Sequence, residues 1–213
     1  MKIEKLMCIG SCCDGMFLSK QLGIREKGPV DNMLTLSGSI LSIYKLFNGD
    51  FITSVLKDNY WFSDCNHWDN MQLCGFDGYC MIHNDYKLEK TKIELLKRIE
   101  IFNKYCEISK TNNNYFFLLC AGWEDINVST KDKQKTINLL PSYVKNKLIV
   151  INGRIKHYSL LSYPVFNYDT DEIRKPENQQ DVQNKFSLWW EENKWFYENL
   201  NNCKYDNIKN GES

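Results

Sequence analysis

The sequence predicts an α/β domain: a layered helix–sheet–helix arrangement built on a mainly parallel sheet. Two observations lead to this prediction. Short, continuous apolar runs, typical of buried strands, alternate with longer segments whose apolar residues recur at helical spacing. The composition also suits one folded unit, because 43% of the 213 residues are hydrophobic and 25% are charged. We expect one domain over residues 1–205 and a polar tail over 206–213.

The N-terminal half contains strand and helix patterns in alternation. Glycine ends both helices, at Gly23 and at Asn48-Gly49, as expected for helix C-termini. In chain order the pattern predicts a strand at Lys5–Ile9, a helix at Cys13–Leu22, a short strand near Arg25, a helix at Ser39–Phe47, an irregular segment at Tyr60–Gly78 and a strand at Tyr79–Ile82.

The C-terminal half gives clearer patterns. Ile93, Leu96, Ile99 and Phe102 recur at steps of three or four, which indicates an amphipathic helix. In chain order the pattern predicts a helix at Glu89–Ile108, a buried strand at Tyr115–Cys120, a helix at Lys131–Leu140 stopped by Pro141, a strand at Leu148–Ile151, a hairpin or edge strand within Ile155–Phe166 and a tryptophan-rich helix at Val182–Leu200. We interpret the tryptophans as a packing face rather than a ligand platform.

Composition excludes several classes of partner. Lys and Arg number 27 and Asp and Glu also number 27, so the chain lacks the basic excess of a general nucleic-acid binder. No run approaches the roughly 20 apolar residues that cross a bilayer, and the N-terminus lacks a secretory apolar segment. We therefore expect a cytoplasmic protein that binds neither nucleic acid nor membrane. The nine cysteines are then more consistent with free thiols than with a disulfide framework.

One cysteine occupies a position suited to catalysis. Cys13 falls where the first strand turns into a helix, after Gly10. Unpaired N–H groups and the helix dipole at such a position favour thiolate over thiol, and the same N–H groups can stabilise an oxyanion. Cys13 is thus the candidate nucleophile, and its neighbour Cys12 the candidate packing residue. The alternative is a strand-to-helix turn with two buried cysteines.

Three further residues are candidates for acid–base work. His83 follows an apolar strand, and a strand end in a parallel sheet would lie on the same edge as Cys13. Asp31, in the loop after Arg25, could orient the imidazole, and Asp85 competes for that role. Each of the three also has a structural interpretation, as a surface histidine or a loop-capping aspartate.

A zinc site is the principal alternative use of the cysteines. Five residues of the types that bind zinc fall within 19 positions, but without the paired C-x2-C spacing of strong zinc motifs. They are Cys65, His67, Cys74, Cys80 and His83. The sequence contains no G-x-G-x-x-G, Walker or G-x-S-x-G motif, so we predict no cofactor.

The order of these motifs resembles a bacterial family described as papain-like cysteine peptidases. Its members begin with Ser-Leu-Gly-x-x-Cys, a helix and Leu-Gly-Leu-Arg, which Gly10–Cys13 and Leu22–Arg25 follow. A Pro-Phe-Asp-Trp motif corresponds in part to Pro29–Asn32, and a strand ending in His-Asp corresponds to His83-Asn84. A long helix with Lys-Arg character then matches Lys97–Phe102. The resemblance implies a papain-like Cys/His site at strand ends, with Cys13 as nucleophile and His83 as its partner.

Together these features give two hypotheses of function. The first is cysteine-dependent acyl transfer: an acyl-enzyme on Cys13 is resolved by water, as in an amidase or peptidase, or by an amine, as in amide-forming natural-product biosynthesis. Its partner would be a small-molecule or peptide acyl substrate, carried on a protein thioester in the biosynthetic case. The second is a binding protein of the same fold without catalysis, with or without a structural zinc. Substrate and oligomeric state stay open.

Overall fold

The computed structural model describes residues 2–10, 13–31, 33–35, 43–57, 61–67, 71–76, 79–81, 88–120, 129–152 and 163–209. The strands are β1 (Lys5–Cys8), β2 (Arg25–Glu26), β3 (Met33–Thr35), β4 (Trp61–His67), β5 (Met71–Phe76), β6 (Tyr79–Met81), β7 (Tyr115–Cys120), β8 (Leu148–Asn152) and β9 (Val165–Asn167). The helices are α1 (Cys13–Gln21), α2 (Lys45–Asn48), α3 (Asp50–Leu56), α4 (Leu88–Thr111), α5 (Thr130–Leu139), α6 (Ser142–Lys145), α7 (Thr170–Arg174) and α8 (Gln179–Lys209).

Five strands form a parallel sheet in the order β2-β1-β7-β8-β9. The longest contact of β1 is with β7, from Lys5 opposite Tyr115 to Cys8 opposite Leu118. Parallel neighbours require crossover connections, which helices usually provide. The prediction of an α/β domain with a mainly parallel sheet is confirmed.

Alternate residues of the central strands enter two separate cores, because successive side chains of a strand point to opposite faces. Met7 and Phe117 belong to a cluster that includes residues of α3, α4 and α5. Leu6 and Phe116 belong to a second cluster that includes residues of α1, α7 and α8. The sheet is therefore covered by helices on both faces, as the continuous apolar strands predict.

The tryptophan-rich helix packs on the second of these faces. Trp190 is buried, and its ring lies edge-on to Phe116 with the centroids 5.2 Å apart. It also stacks near Tyr197, at 5.2 Å between centroids. The packing interpretation is confirmed for Trp190, whereas Trp195 is 60% exposed.

A second sheet corrects one prediction. β4 and β5 pair antiparallel within the segment Tyr60–Gly78, which the sequence predicts as irregular. The sheet order is β3-β6-β5-β4. The strand β4 reads Trp-Phe-Ser-Asp-Cys-Asn-His, with no regular alternation of apolar and polar residues, and its register shifts between Asp64 and His67. Because apolar and polar residues do not alternate, a search for a period of two residues does not detect this strand.

The helix ends follow local chemistry. Gly23 after α1 has φ +70°, and Gly49 after α2 has φ +88°, so both adopt the left-handed conformation that glycine tolerates best. Ser129 accepts a hydrogen bond from the Asp132 N–H and caps α5. The last helix, α8, extends past residue 205, where the sequence predicts the polar tail to begin. None of the helices within the described residues is long and apolar enough to span a bilayer.

Candidate active site

The strand order reverses between β1 and β7. From β1 the chain first adds β2 on one side and later returns to place β7 on the other. In doubly wound sheets, the loops that leave two such strands diverge and open a crevice beyond their carboxyl ends, where ligands bind. Of these two loops, the structure describes residues 9 and 10 after β1. The turn after β2 is the described segment that packs beside them.

Gly10 brings the first of these loops against β7. A Cβ atom on Gly10 would lie 2.6 Å from the Cys120 main-chain nitrogen and 2.9 Å from its oxygen. Only glycine permits this approach, because the atoms in the way belong to the backbone of a central strand. The Ile9 N–H still donates to the Leu118 oxygen at 2.9 Å, so the chain leaves the sheet immediately after Ile9.

Helix α1 begins at Cys13, three residues after Gly10. This confirms the predicted start of the helix. The first turn of a helix has main-chain N–H groups without intrahelical partners, and these favour negative charge on a nearby atom. A thiolate at residue 13 would gain this stabilisation, which is the usual origin of a reactive cysteine at a helix start.

Asp14 anchors the beginning of α1. Its side chain is 1% exposed, and Oδ1 accepts hydrogen bonds from Arg174 Nη2 at 2.7 Å and Nε at 3.2 Å. Arg174 is the last residue of α7. At the residue after Asp14, a Cβ on Gly15 would lie 2.6 Å from Cys8 Sγ. The start of α1 is thus held against both α7 and the end of β1.

Asp31 lies in the turn after β2 and is 2% exposed. Its Oδ2 accepts from Arg25 Nη2 at 2.7 Å and from the Gly28 N–H at 3.2 Å. Burial raises the pKa of the Asp31 carboxyl above its ordinary value, and the Arg25 guanidinium offsets part of that rise. A Cβ on Gly28 would lie 2.4 Å from the Cys8 oxygen, so this turn packs on the carboxyl end of β1.

A chain of charges connects Asp31 to the long helix α4. Arg98 donates from Nη1 to the Asp31 main-chain oxygen at 2.7 Å and from Nη2 to Glu94 Oε1 at 2.9 Å. Lys27 Nζ donates to the same Glu94 oxygen at 2.8 Å. These hydrogen bonds from Lys27 and Arg98 lower the pKa of Glu94 to about 2. Charged hydrogen bonds from Arg98 and Lys27 therefore hold the turn against α4.

His83 and Asp85 lie outside the described residues. The sequence argument places His83 on the edge with Cys13 by assuming that its strand belongs to the parallel sheet, and that assumption is wrong. β6, which ends at Met81, pairs antiparallel with β3 and β5 in the second sheet. The edge rule for parallel sheets therefore does not apply to the residues that follow β6.

The described side chains form no metal centre: no three His, Cys, Asp or Glu residues among them come together as ligands. The side chains of the five residues considered for zinc lie outside that part of the chain. Their backbone register is defined for three of them. His67 lies opposite Met71, Cys74 opposite Met81 and Cys80 opposite Gly75, so none of the three is paired with another.

The cysteines with described side chains are all buried. They are Cys8, Cys106 and Cys120. Cys8 Sγ donates to the Gly10 oxygen at 3.3 Å, and desolvation raises the pKa of Cys106 to about 11. Desolvation thus favours the neutral thiol of Cys106. These cysteines therefore behave as small core residues, as the sequence predicts for most of the nine.

Two residues of the site have no role in the sequence argument. Arg98 belongs to the matched motif Lys97–Phe102, yet nothing near it in sequence indicates that it contacts Asp31. Asp14 follows Cys13 directly and reads as an ordinary acidic residue in the first turn of a helix. Arg98 shares the buried face of α4 with Leu95 and Phe102. A charged residue on the buried face of a helix is unusual, and this is the signal that identifies Arg98.

Comparison of the chain with protein-family models, with curated proteins and with solved structures finds no match to any of them.

Proposed function

We propose that the chain is a cysteine-dependent acyl-transfer enzyme with Cys13 as its nucleophile. One observation carries the proposal: α1 begins at Cys13 directly beyond the carboxyl end of β1, next to the reversal of strand order. That edge is where doubly wound sheets bind ligands, and a helix start is where a thiol ionises most easily.

The reaction would proceed through a covalent acyl-enzyme. The Cys13 thiolate attacks the carbonyl carbon of an amide or thioester, and the carbon–sulfur bond forms as the carbonyl electrons move to oxygen. Main-chain N–H groups at the start of α1 stabilise this oxyanion. Its collapse expels the amine or thiol, which takes a proton from the His83 imidazolium. Water or an amine acceptor then attacks the acyl-enzyme and gives a proton to the neutral His83 imidazole. The carbon–sulfur bond breaks, which restores the Cys13 thiolate and the imidazolium.

Asp31 is the described residue best suited to orient the imidazole. It is buried in the turn after β2, and its Oδ1 has no hydrogen-bond partner among the described residues. A buried carboxylate oxygen normally has one, and an imidazole N–H is a suitable donor. Asp85 is the alternative. The substrate class is a small-molecule or peptide acyl compound, free or carried as a protein thioester, in the cytoplasm.

Selective chemistry at Cys13 tests the proposal. The protein is treated with iodoacetamide at about pH 6, where an unperturbed thiol is almost entirely neutral, and the labelled cysteines are mapped by mass spectrometry. In parallel it is incubated with an acetyl thioester of N-acetylcysteamine. We expect label and acetyl group on Cys13, with both lost in Cys13→Ala and retained in the matched control Cys12→Ala.

Labelling of Cys13 that is no faster than that of the other accessible cysteines would contradict the proposal. The alternative hypothesis, a binding protein without catalysis, would then be favoured. One equivalent of zinc per chain, measured by elemental analysis, would assign the cysteines of β4–β6 to a structural metal site.

A further inference from the structure

The described residues contain four buried side-chain polar atoms without a hydrogen-bond partner, and three of them belong to one contact group. These three are Arg25 Nε, Asp31 Oδ1 and Arg98 Nε, and the fourth is Thr91 Oγ1. Arg25 and Arg98 are the two cations that bind Asp31. Buried polar atoms are rarely left unpaired, and where they concentrate they mark strain or function.

The contacts of Asp31 hold it at two points. Arg98 fixes the main chain through the Asp31 oxygen, and Arg25 together with the Gly28 N–H fixes Oδ2. With the main chain and one carboxylate oxygen held, rotation about the side-chain bonds cannot move the other oxygen without breaking a charged hydrogen bond. Oδ1 is therefore held in one place, without a partner among the described residues.

The position of this oxygen relates it to the candidate nucleophile. Oδ1 lies 3.5 Å from where a Cβ of Gly28 would stand, and the same Cβ would lie 2.4 Å from the Cys8 oxygen. Cys8 is the last residue of β1, and the chain continues through Gly10 to the start of α1 at Cys13. Asp31 thus lies close to the carboxyl end of β1, where the chain leaves the sheet and leads to Cys13.

Arg98 is itself held in place. Its side chain is 5% exposed, and Glu94 binds its Nη2 while also binding Lys27, the residue directly after β2. Asp31 is therefore fixed from the β2 side by Arg25 and from α4 by Arg98. Among the described residues, these contacts occupy only Oδ2 of the carboxylate.

We propose that Arg25 and Arg98 are positioning residues, which hold Asp31 so that Oδ1 is the single acceptor available to the imidazole partner of Cys13. This inference rests on the proposed function. A correctly placed carboxylate stabilises an imidazolium, and the imidazolium in turn lowers the pKa of the thiol. Loss of either arginine would misplace Oδ1 and make Cys13 a more ordinary thiol.

The test is the pH dependence of Cys13 alkylation, measured on the full chain by mass spectrometry. The change in the apparent pKa of Cys13 in Asp31→Asn serves as the reference for the arginine variants. We expect Arg98→Met and Arg25→Gln to raise the apparent pKa of Cys13 in the same direction, by on the order of one pH unit. Arg98→Lys, which keeps one donor for the Asp31 oxygen, should restore part of the shift. Lys97→Met, an exposed neighbour on α4, should leave the profile unchanged.

The outcomes separate the two proposals. If Cys13 is selectively alkylated and Asp31→Asn shifts its profile while both arginine variants do not, the positioning role is overturned and the acyl-transfer proposal stands. An unshifted Asp31→Asn profile overturns the role of Asp31 and, with it, that of both arginines. If Cys13 in the unsubstituted chain is not selectively alkylated, the proposed function fails and the positioning role falls with it. Should Arg98→Met not fold, Arg25→Gln, whose side chain is 29% exposed in the native protein, decides the matter alone.

Discussion

Arg98 on α4 donates a hydrogen bond from Nη1 to the main-chain oxygen of Asp31, at 2.7 Å, across 67 positions of sequence. The contact joins the longest helix of the first core to the turn at the end of β2. Since the same arginine also binds Glu94, the turn and the helix form one charged junction. A helix far along the sequence therefore supports the edge of the candidate site.

Acidification should weaken this junction. The pKa of Glu94 is lowered to about 2, below its ordinary value of 4.5. The unfolded chain therefore binds the proton more readily, so the stabilisation is present above the ordinary pKa and is lost as the pH falls toward 2. Because the side chain is 40% exposed, we expect at most about 1 kcal/mol.

Urea unfolding of the unsubstituted protein and of Glu94→Gln measures this effect. The difference between their free energies of unfolding should be largest near neutral pH and should shrink between about pH 4 and about pH 2. A difference that stays constant over this range would show that Glu94 does not titrate as described.

Gly10→Ala should destabilise the fold more than Gly15→Ala. The new Cβ would meet the Cys120 backbone at 2.6 Å in the first case and the Cys8 Sγ at 2.6 Å in the second. A backbone inside a sheet cannot yield, and overpacking of this kind costs about 1–3 kcal/mol. A side chain can yield, and alanine within a helix recovers up to about 1 kcal/mol over glycine.

Thermal unfolding of both variants, each also made in a Cys8→Ala background, provides the comparison. Removal of Sγ should make Gly15→Ala neutral or stabilising, whereas Gly10→Ala should stay destabilised. Rescue of Gly10→Ala by the Cys8 substitution would mean that its obstacle is not the β7 backbone.

The buried cysteines should resist alkylation in the native protein. Cys8, Cys106 and Cys120 are buried, and the pKa of Cys106 is raised to about 11, so at neutral pH its thiol is both inaccessible and protonated. Iodoacetamide should reach these three residues only after unfolding in urea. Mass spectrometry of peptides sampled with and without urea checks this, and rapid labelling of Cys106 without urea would contradict the described packing.

Arg174→Met should loosen the attachment of α1. The substitution leaves the Asp14 carboxylate, 1% exposed, without the guanidinium that binds its Oδ1 at 2.7 Å. Loss of hydrogen bonds to a charged group costs about 1.5–3 kcal/mol. Chemical unfolding measures the cost, and Lys175→Met, at an exposed neighbour, is the matched control.

A double-mutant cycle identifies the interaction itself. Asp14→Asn combined with Arg174→Met should cost less than the sum of the two single changes, since each removes the same contact. Strict additivity would indicate that the two residues stabilise the fold independently.

The parallel sheet could be predicted largely from sequence. Tyr115–Cys120 is a strand at the predicted residues, because a strand covered on both faces is apolar at every position. The helix before Pro141 is likewise predicted to within one residue at each end. Elements of this kind can be predicted from the local sequence, because periodicity and helix-stopping residues identify them.

The antiparallel sheet and the setting of Asp31 could not be predicted in the same way. β4 has too many polar residues to show a strand pattern, and the sequence alone does not indicate which strand it pairs with. The motif order suggested Asp31, but its contact with Arg98 depends on how two distant segments pack. The assignment of β6 to a parallel sheet fails for the same reason, since periodicity does not reveal which sheet a strand joins.

The pairing of Lys5 with Tyr115 has a consequence for biosynthesis. Until residue 120 has left the ribosome, the first strand can pair only with the two-residue β2. Helix α1, which begins at Cys13, then lacks the β7 strand against which the end of β1 packs. Contacts between such distant segments form slowly, and the exposed apolar strand is prone to aggregate in the meantime. We expect nascent chains stalled before this point to be protease-sensitive and to depend on chaperones.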